Sequence, residues 1–197
     1  APEHRLYLSF ASAGKEPTRN NWTDAKSDRA PKPERLNDWE AGWNWSAEGA
    51  SFGVNLYDME YRDQLVLTGE VNDIGEPLAD NVAKSYRRGV EVMGAMQVLP
   101  SLRVSANATL SRNRIVDYVE WVDSYDEDWN YSQVAEQLGE TDIAFSPSVL
   151  AAGVVEWRRG GLRALWQTNY VGKQYLDNTM TDGSSVPAYM VSNLSVT

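Results

Sequence analysis

The sequence predicts an all-β fold, an antiparallel up-and-down meander built as a transmembrane wall, and three observations carry that expectation. Apolar and polar residues alternate with period two over long stretches, the signature of strands with one oily and one wet face. Every second connection is short and the others are long and polar, the asymmetry between the two edges of a membrane β-barrel. Several alternating stretches reach about 13 residues or more, whereas strands of globular proteins cluster near 5 to 6.

The first strand is expected over residues 4–11, with Leu6, Leu8 and Phe10 on one face. Residues 12–35 contain Gly14, Pro17, Asn20, Asn21, Pro31 and Pro33, which reads as a long loop. A strand follows over 36–46, where Trp39, Ala41, Trp43 and Trp45 oppose Asp38, Glu40, Gly42 and Asn44. A tight turn leads into a strand over 49–61 with Phe52, Val54 and Leu56 in phase. Its apolar parity changes at Tyr57, Met59 and Tyr61, which a bulge or the membrane edge would explain.

Residues 62–83 read as the second long loop. The clearest hairpin comes next, over 84–98 and 101–113, joined by Leu99-Pro100-Ser101. Val90, Val92, Met96 and Val98 oppose Arg87, Glu91 and Gln97 in its first strand; Leu102, Val104, Ala106, Ala108 and Leu110 alternate with Arg103, Ser105, Asn107, Thr109 and Ser111 in its second. The longest loop is expected over 114–142. Strands over 143–158 and 161–175 then flank the turn Arg158-Arg159-Gly160-Gly161, and a loop over 176–186 leads to a last strand at 187–196, eight in all.

The chain has 197 residues and a net charge of −10, so a general attraction to nucleic acid or anionic lipid is not expected. It has no Cys, which excludes disulfides and thiolate metal sites. No stretch approaches the ~20 apolar residues of a spanning helix, a test that leaves β-barrels open because their strands show only half their side chains to lipid. Eight Trp and ten Tyr suit either a buried core or the aromatic girdles of a barrel.

Four places in the chain resemble the barrel of TonB-dependent outer-membrane receptors. Lys32-Pro33-Glu34 followed by Asn37-Asp38-Trp39-Glu40-Ala41-Gly42-Trp43 is similar to a strand opening of that family. Asn55-Leu56-Tyr57 with Tyr61-Arg62-Asp63-Gln64-Leu65 resembles the next strand and its exit to an external loop. Asn81-Val82 with Tyr86-Arg87-Arg88-Gly89-Val90-Glu91 is similar to a Gly-hydrophobic-Glu strand there. Asp142-Ile143-Ala144-Phe145-Ser146-Pro147 and Tyr170-Val171-Gly172-Lys173-Gln174-Tyr175 resemble later strands.

The resemblance implies a segment of a large transmembrane β-barrel of about 22 strands with a plug domain inside. Residues 1–197 would then be part of the C-terminal barrel domain, with the plug domain and the last strands outside the chain. It further implies a cell outer membrane location in a Gram-negative bacterium, and outer-membrane lipid, the plug and the TonB system as partners. The implied function is active transport of a scarce small solute such as an iron-siderophore complex. Lumen-facing Arg87, Glu91, Arg103, Asn107, Arg163, Gln167 and Lys173 would meet the plug.

Catalysis is not expected. His4 is the only histidine, so a zinc site with two His cannot form, and Asp38 and Glu40, two apart on a strand, read as lumen lining. No glycine-rich nucleotide fingerprint and no cofactor site is present in the sequence. The 114–142 stretch carries Asp117, Glu120, Asp123, Asp126, Glu127, Asp128, Glu136, Glu140 and Asp142 with no Lys or Arg after Arg114. It reads as a solvated acidic loop or as a surface for a cationic or metal-bearing solute. Asp126, Asp128 and Asn130 begin like a calcium loop, but Tyr131 replaces the required Gly and Gln137 the bidentate Glu. Trp22, Trp121, Asp123, Asp126, Asp128 and Trp129 are the candidate ligand-facing loop residues. The rival expectation is a soluble secreted β-sandwich that binds carbohydrate, which would bury the Trp-rich face in a core; a small closed eight-stranded barrel is a third possibility.

Overall fold

The computed structural model describes residues 2–25 and 30–197. The strands are β1 (Glu3–Lys15), β2 (Glu34–Ala47), β3 (Ala50–Val71), β4 (Pro77–Leu99), β5 (Leu102–Tyr125), β6 (Tyr131–Asp142), β7 (Val149–Arg159), β8 (Leu162–Val171), β9 (Gln174–Tyr175), β10 (Ser185–Val186) and β11 (Tyr189–Val196), with a short helix α1 (Arg19–Thr23). A single antiparallel sheet runs β1-β2-β3-β4-β5-β7-β8-β11, and β6 pairs with β5 off that path. The eight expected strands are the eight on the path, in chain order.

Two cross-strand rows show why the alternation folds this way. On one face Leu6, Trp43, Val54, Val92, Ala108, Ala151, Tyr170 and Met190 stand opposite one another across all eight strands. One residue along, Tyr7, Gly42, Asn55, Glu91 and Thr109 form the neighbouring row on the other face. The first face is an unbroken apolar belt and the second is largely polar, so one register satisfies every strand at once. Slipping any strand by one residue would turn its oily side chains into the wet face.

The belt is uncovered. Leu6, Leu56, Leu110 and Leu194 are each at least half exposed, and Trp166 is 48% exposed. A sandwich would have packed these residues against a second layer; the buried hydrophobics among the described residues are instead Val66, Val82, Ile115, Ile143 and Ala144, away from the belt at the long-loop end. Short turns close the opposite end: Gly49 and Gly160 take φ of +75° and +60°, a left-handed conformation that costs glycine little.

Several expected loops are strands. Residues 62–83 are mostly the tops of β3 and β4, which close on Asn72–Glu76, and residues 114–142 are the top of β5 and all of β6. The strands reach 22, 23 and 24 residues for β3, β4 and β5, roughly 75 Å along the chain. About 10 residues suffice to cross the hydrocarbon, so the upper halves stand in water. There neither face needs to be apolar, the alternation disappears, and backbone pairing alone sustains the sheet. Residues 12–35 likewise contain the end of β1 and α1, which Thr18 caps by accepting a hydrogen bond from the Asn21 backbone N–H. The strand expected from 143 starts at Val149, because Ile143 to Ser148 turn inward, and the strand expected to 175 stops at Val171.

The parity change in β3 is the membrane edge rather than a bulge. Pairing of β3 with β2 and β4 is uninterrupted from Ala50 to Arg62. Asp58 and Glu60 continue the outward face above Leu56, where Arg88 of β4 binds both, at 2.8 and 3.1 Å. Tyr57, Met59 and Tyr61 therefore point inward.

Candidate functional site: the inner face and its mouth

Inner-face side chains interlock across strands through glycine. The Tyr7 ring lies over Gly42 so closely that a Cβ there would sit 2.2 Å from it. Its hydroxyl reaches past β2 to donate to Asn55 Oδ1 of β3 at 3.0 Å, and Asn55 Nδ2 donates on to Glu91 of β4 at 3.4 Å. Tyr57 repeats the arrangement over Gly89. Only a residue without a side chain leaves room for an aromatic ring to cross a neighbouring strand flat.

The charge on this face changes sign along its height. At the short-turn end Glu156 accepts from both Arg158 and Arg163 at 2.6 Å, with Arg103 directly opposite Glu156 in register. Midway, Arg87 Nη1 donates to Ser146 Oγ at 2.9 Å. Among the lumen residues expected from the sequence, Arg87, Glu91, Arg163 and Lys173 are thus already engaged within the wall, Lys173 with Tyr175 and Asp182.

At the opposite end the connection between β8 and β11 folds back over the inner face. Asn178 is 0% exposed; its Oδ1 accepts from the Ala144 backbone N–H at 2.8 Å and its Nδ2 donates to the Leu67 carbonyl at 2.9 Å. Beside it a cavity of about 270 Å³ is lined by Val66, Thr68, Glu70, Tyr118, Glu120 and Trp121. Burial holds the Glu120 carboxyl above its ordinary value, and the neighbouring carboxylates Asp177, Glu136 and Glu70 push the same way. The mouth is an acidic recess, and Tyr118 packs against the buried Val66, Val82, Ile115 and Ile143 beside it.

The structure does not gather the six loop residues expected from the sequence. Trp121 alone lines the cavity. Trp129 stands 82% exposed at the tip of the β5–β6 hairpin, its ring 6.2 Å from Tyr125. Trp22 sits on α1, half exposed, and Asn20 of the same helix donates to Glu76 of the β3–β4 turn at 2.7 Å. The Asp126 carboxylate accepts from the Asp128 and Asn130 backbone N–H groups and from Asn130 Nδ2, each at 2.9 Å. Those bonds hold it below the ordinary carboxylate range and close the hairpin turn. Asp128 is exposed, and the side chain of Asp123 lies outside the described residues. Among the described residues no group of three acidic, His or Cys side chains is arranged to hold a metal. Tyr118 and Asn178 were not visible as site residues in the sequence, because nothing local marks a residue whose partners lie about 60 to 110 positions away.

Comparison with known proteins fits this architecture. No curated protein matches the chain in sequence. Among solved structures, "Copper transporter OprC" superposes with a TM-score of 0.69 at 15% identity, covering 98% of this chain and 28% of its own. The siderophore receptor PiuA from Acinetobacter baumannii gives 0.69 at 16% identity, covering 98% and 27%. The ferric-catecholate import receptor Fiu from K12 E. coli gives 0.65 at 16%, covering 98% and 26%. The chain thus spans little more than a quarter of the receptors it resembles, and at this identity the likeness establishes the fold alone. The family model "TonB dependent receptor-like, beta-barrel" matches residues 1–197, and the chain belongs to that family as part of its barrel.

Proposed function

We propose that the receptor of which this wall is a part imports a scarce, metal-bearing solute such as an iron-siderophore complex across the outer membrane of a Gram-negative bacterium. The plug domain and last strands of the barrel lie outside these residues, and the TonB system supplies the energy. One observation carries the reading: a recess lined by Glu70, Glu120, Tyr118 and Trp121, acidic through its two glutamates, lies at the long-loop end. A carboxylate-rich mouth raises the local concentration of cationic solutes. Glu120 and Trp121 line the recess, Trp22, Asp128 and Trp129 are exposed outside it, and Asp126 holds the β5–β6 turn. Similar folds include a copper transporter and siderophore receptors, which is consistent with such a cargo. The sandwich alternative is not favoured, since the Trp-rich face has no covering layer.

The test is uptake by the full receptor in its own membrane, measured with labelled iron presented as a panel of siderophore complexes and with copper. Trp121→Ala and Glu120→Gln should weaken uptake of one cargo while surface abundance stays constant, and Trp129→Ala should do less. A receptor-deletion strain that imports every complex as well as its parent would overturn the proposal.

A further inference from the structure

Above the apolar belt, three cations stand directly opposite one another on neighbouring strands. Arg35 of β2 pairs in register with Arg62 of β3, and Arg62 with Lys84 of β4. Each lies an even number of residues from Trp39, Leu56 or Val90 on its own strand, in uninterrupted pairing, so all three project outward rather than into the lumen. All are exposed, and none has an ion-pair or hydrogen-bond partner for its side chain among the described residues. The nearby carboxylates are committed elsewhere: Asp58 and Glu60 to Arg88, and Asp63 to Lys32 at 3.6 Å.

Like charges placed directly opposite on a sheet repel, and three in a row compound the effect. The chain has a net charge of −10, yet the one carboxylate lining the groove beside the row, Glu60, is held by Arg88 at 3.1 Å rather than by any of the three. The row lies along a groove of about 490 Å³ that Asn37 and Tyr86 also line. Gly14 of β1 stands opposite Arg35 and leaves that end open. Three donors on strands ~4.8 Å apart span roughly 10 Å, a spacing that suits a headgroup with more than one phosphate.

We propose that Arg35, Arg62 and Lys84 bind the phosphorylated headgroup of an outer-leaflet lipid whose acyl chains lie against the belt below. The inference rests on the outward face being the lipid face, and not on which solute is transported. The row is a local exception to the chain's overall negative charge, so it recruits a specific headgroup rather than anionic surfaces in general.

The full receptor, purified in detergent, is titrated with lipid A carrying both phosphates, with its dephosphorylated form and with inorganic phosphate, bound lipid being read by native mass spectrometry. Diphosphorylated lipid A should bind and the dephosphorylated form should not. Each cation removed should weaken binding roughly fivefold and R35Q/R62Q/K84Q about a hundredfold. Arg62→Lys should retain most of the affinity and Arg62→Gln should not, which keeps the test decisive if the triple variant fails to show the heat-modifiable gel mobility of a folded barrel. Equal lipid affinity in parent and variants would overturn the proposal, as would competition by inorganic phosphate at the lipid's own concentration. Solute uptake measured in parallel separates failure of this site from failure of the transport reading.

Discussion

Replacing Gly42 by Ala tests the interlocked inner face, because the sign of its effect depends on a ring two strands away from that ring's hydrogen-bond partner. A Cβ at position 42 would meet the Tyr7 ring at 2.2–2.5 Å, so the ring must swing out. That breaks the 3.0 Å bond to Asn55, which is only 9% exposed. Losing the bond costs about 1 kcal/mol and leaving Asn55 short of a partner adds about 1 more. Against this, Gly→Ala on an unstrained strand stabilises by about 0.4–1 kcal/mol through the unfolded chain. The net expectation is a loss of about 1–1.5 kcal/mol for Gly42→Ala in the parent. In a Tyr7→Ala background the obstruction is gone and the same substitution should stabilise by about 0.5 kcal/mol. Urea titration of the refolded receptor followed by tryptophan fluorescence measures all four corners of the cycle. Gly89→Ala is the control, since the Leu110 carbonyl lies 2.6 Å from its added Cβ and removing the Tyr57 ring cannot relieve that. An equal cost for Gly42→Ala in both backgrounds would refute the interlock.

Three further outcomes follow from the same structure. Val104→Lys on the belt should destabilise the folded receptor in lipid by about 2–4 kcal/mol, whereas Ser105→Lys, one residue along and facing the lumen, should cost under about 1 kcal/mol in the same assay. Asn178→Ala leaves the Ala144 N–H and the Leu67 carbonyl without their partner, a loss of about 2–4 kcal/mol that should appear as faster hydrogen exchange at residues 144 and 176–184 while the belt strands stay protected. Glu140 accepts from the Tyr86 hydroxyl at 2.6 Å and from Arg112 at 2.8 Å, and these bonds hold its carboxyl below the ordinary range. Its contribution is therefore present above the unfolded carboxyl value of about 4.3 and disappears as pH falls through the lower folded value. Protection of β6, corrected for intrinsic exchange, should drop on acidification in the parent and be low and flat in Glu140→Gln.

The membrane-crossing half of the fold was legible because lipid imposes a rule on every strand: the apolar phase of Leu6, Trp43, Val54, Val92 and Ala108 is the register itself. Above the rim that rule lapses. Glu136 and Glu120 pair as directly opposite strand residues although the segment reads as an acidic loop, because in water the ladder hydrogen bonds need no oily face. The parity change at Tyr57 was legible as a bulge or an edge, and deciding between the two needed the uninterrupted pairing of β3. Loop aromatics were easy to find and hard to place: Trp121 lines the recess and Trp129 points away at the hairpin tip, a difference set by their position along one strand. Asn178 had no sequence signal, since its importance lies in two backbone groups far away in the chain.

The hand-over on β5 has a consequence for how such a receptor diversifies. From Leu102 to Leu110 this strand is bonded to β7, and from Arg114 to Tyr125 to β6 instead. Past Tyr118 the only ladder of β5 among the described residues is with β6, so adding or deleting a rung there, one residue on each side, lengthens or trims this ladder without disturbing any pair below Ser111. Mutation can thus reshape the outermost surface in matched steps while the anchored body keeps its sequence, and variation in reach should concentrate between residues 116 and 139.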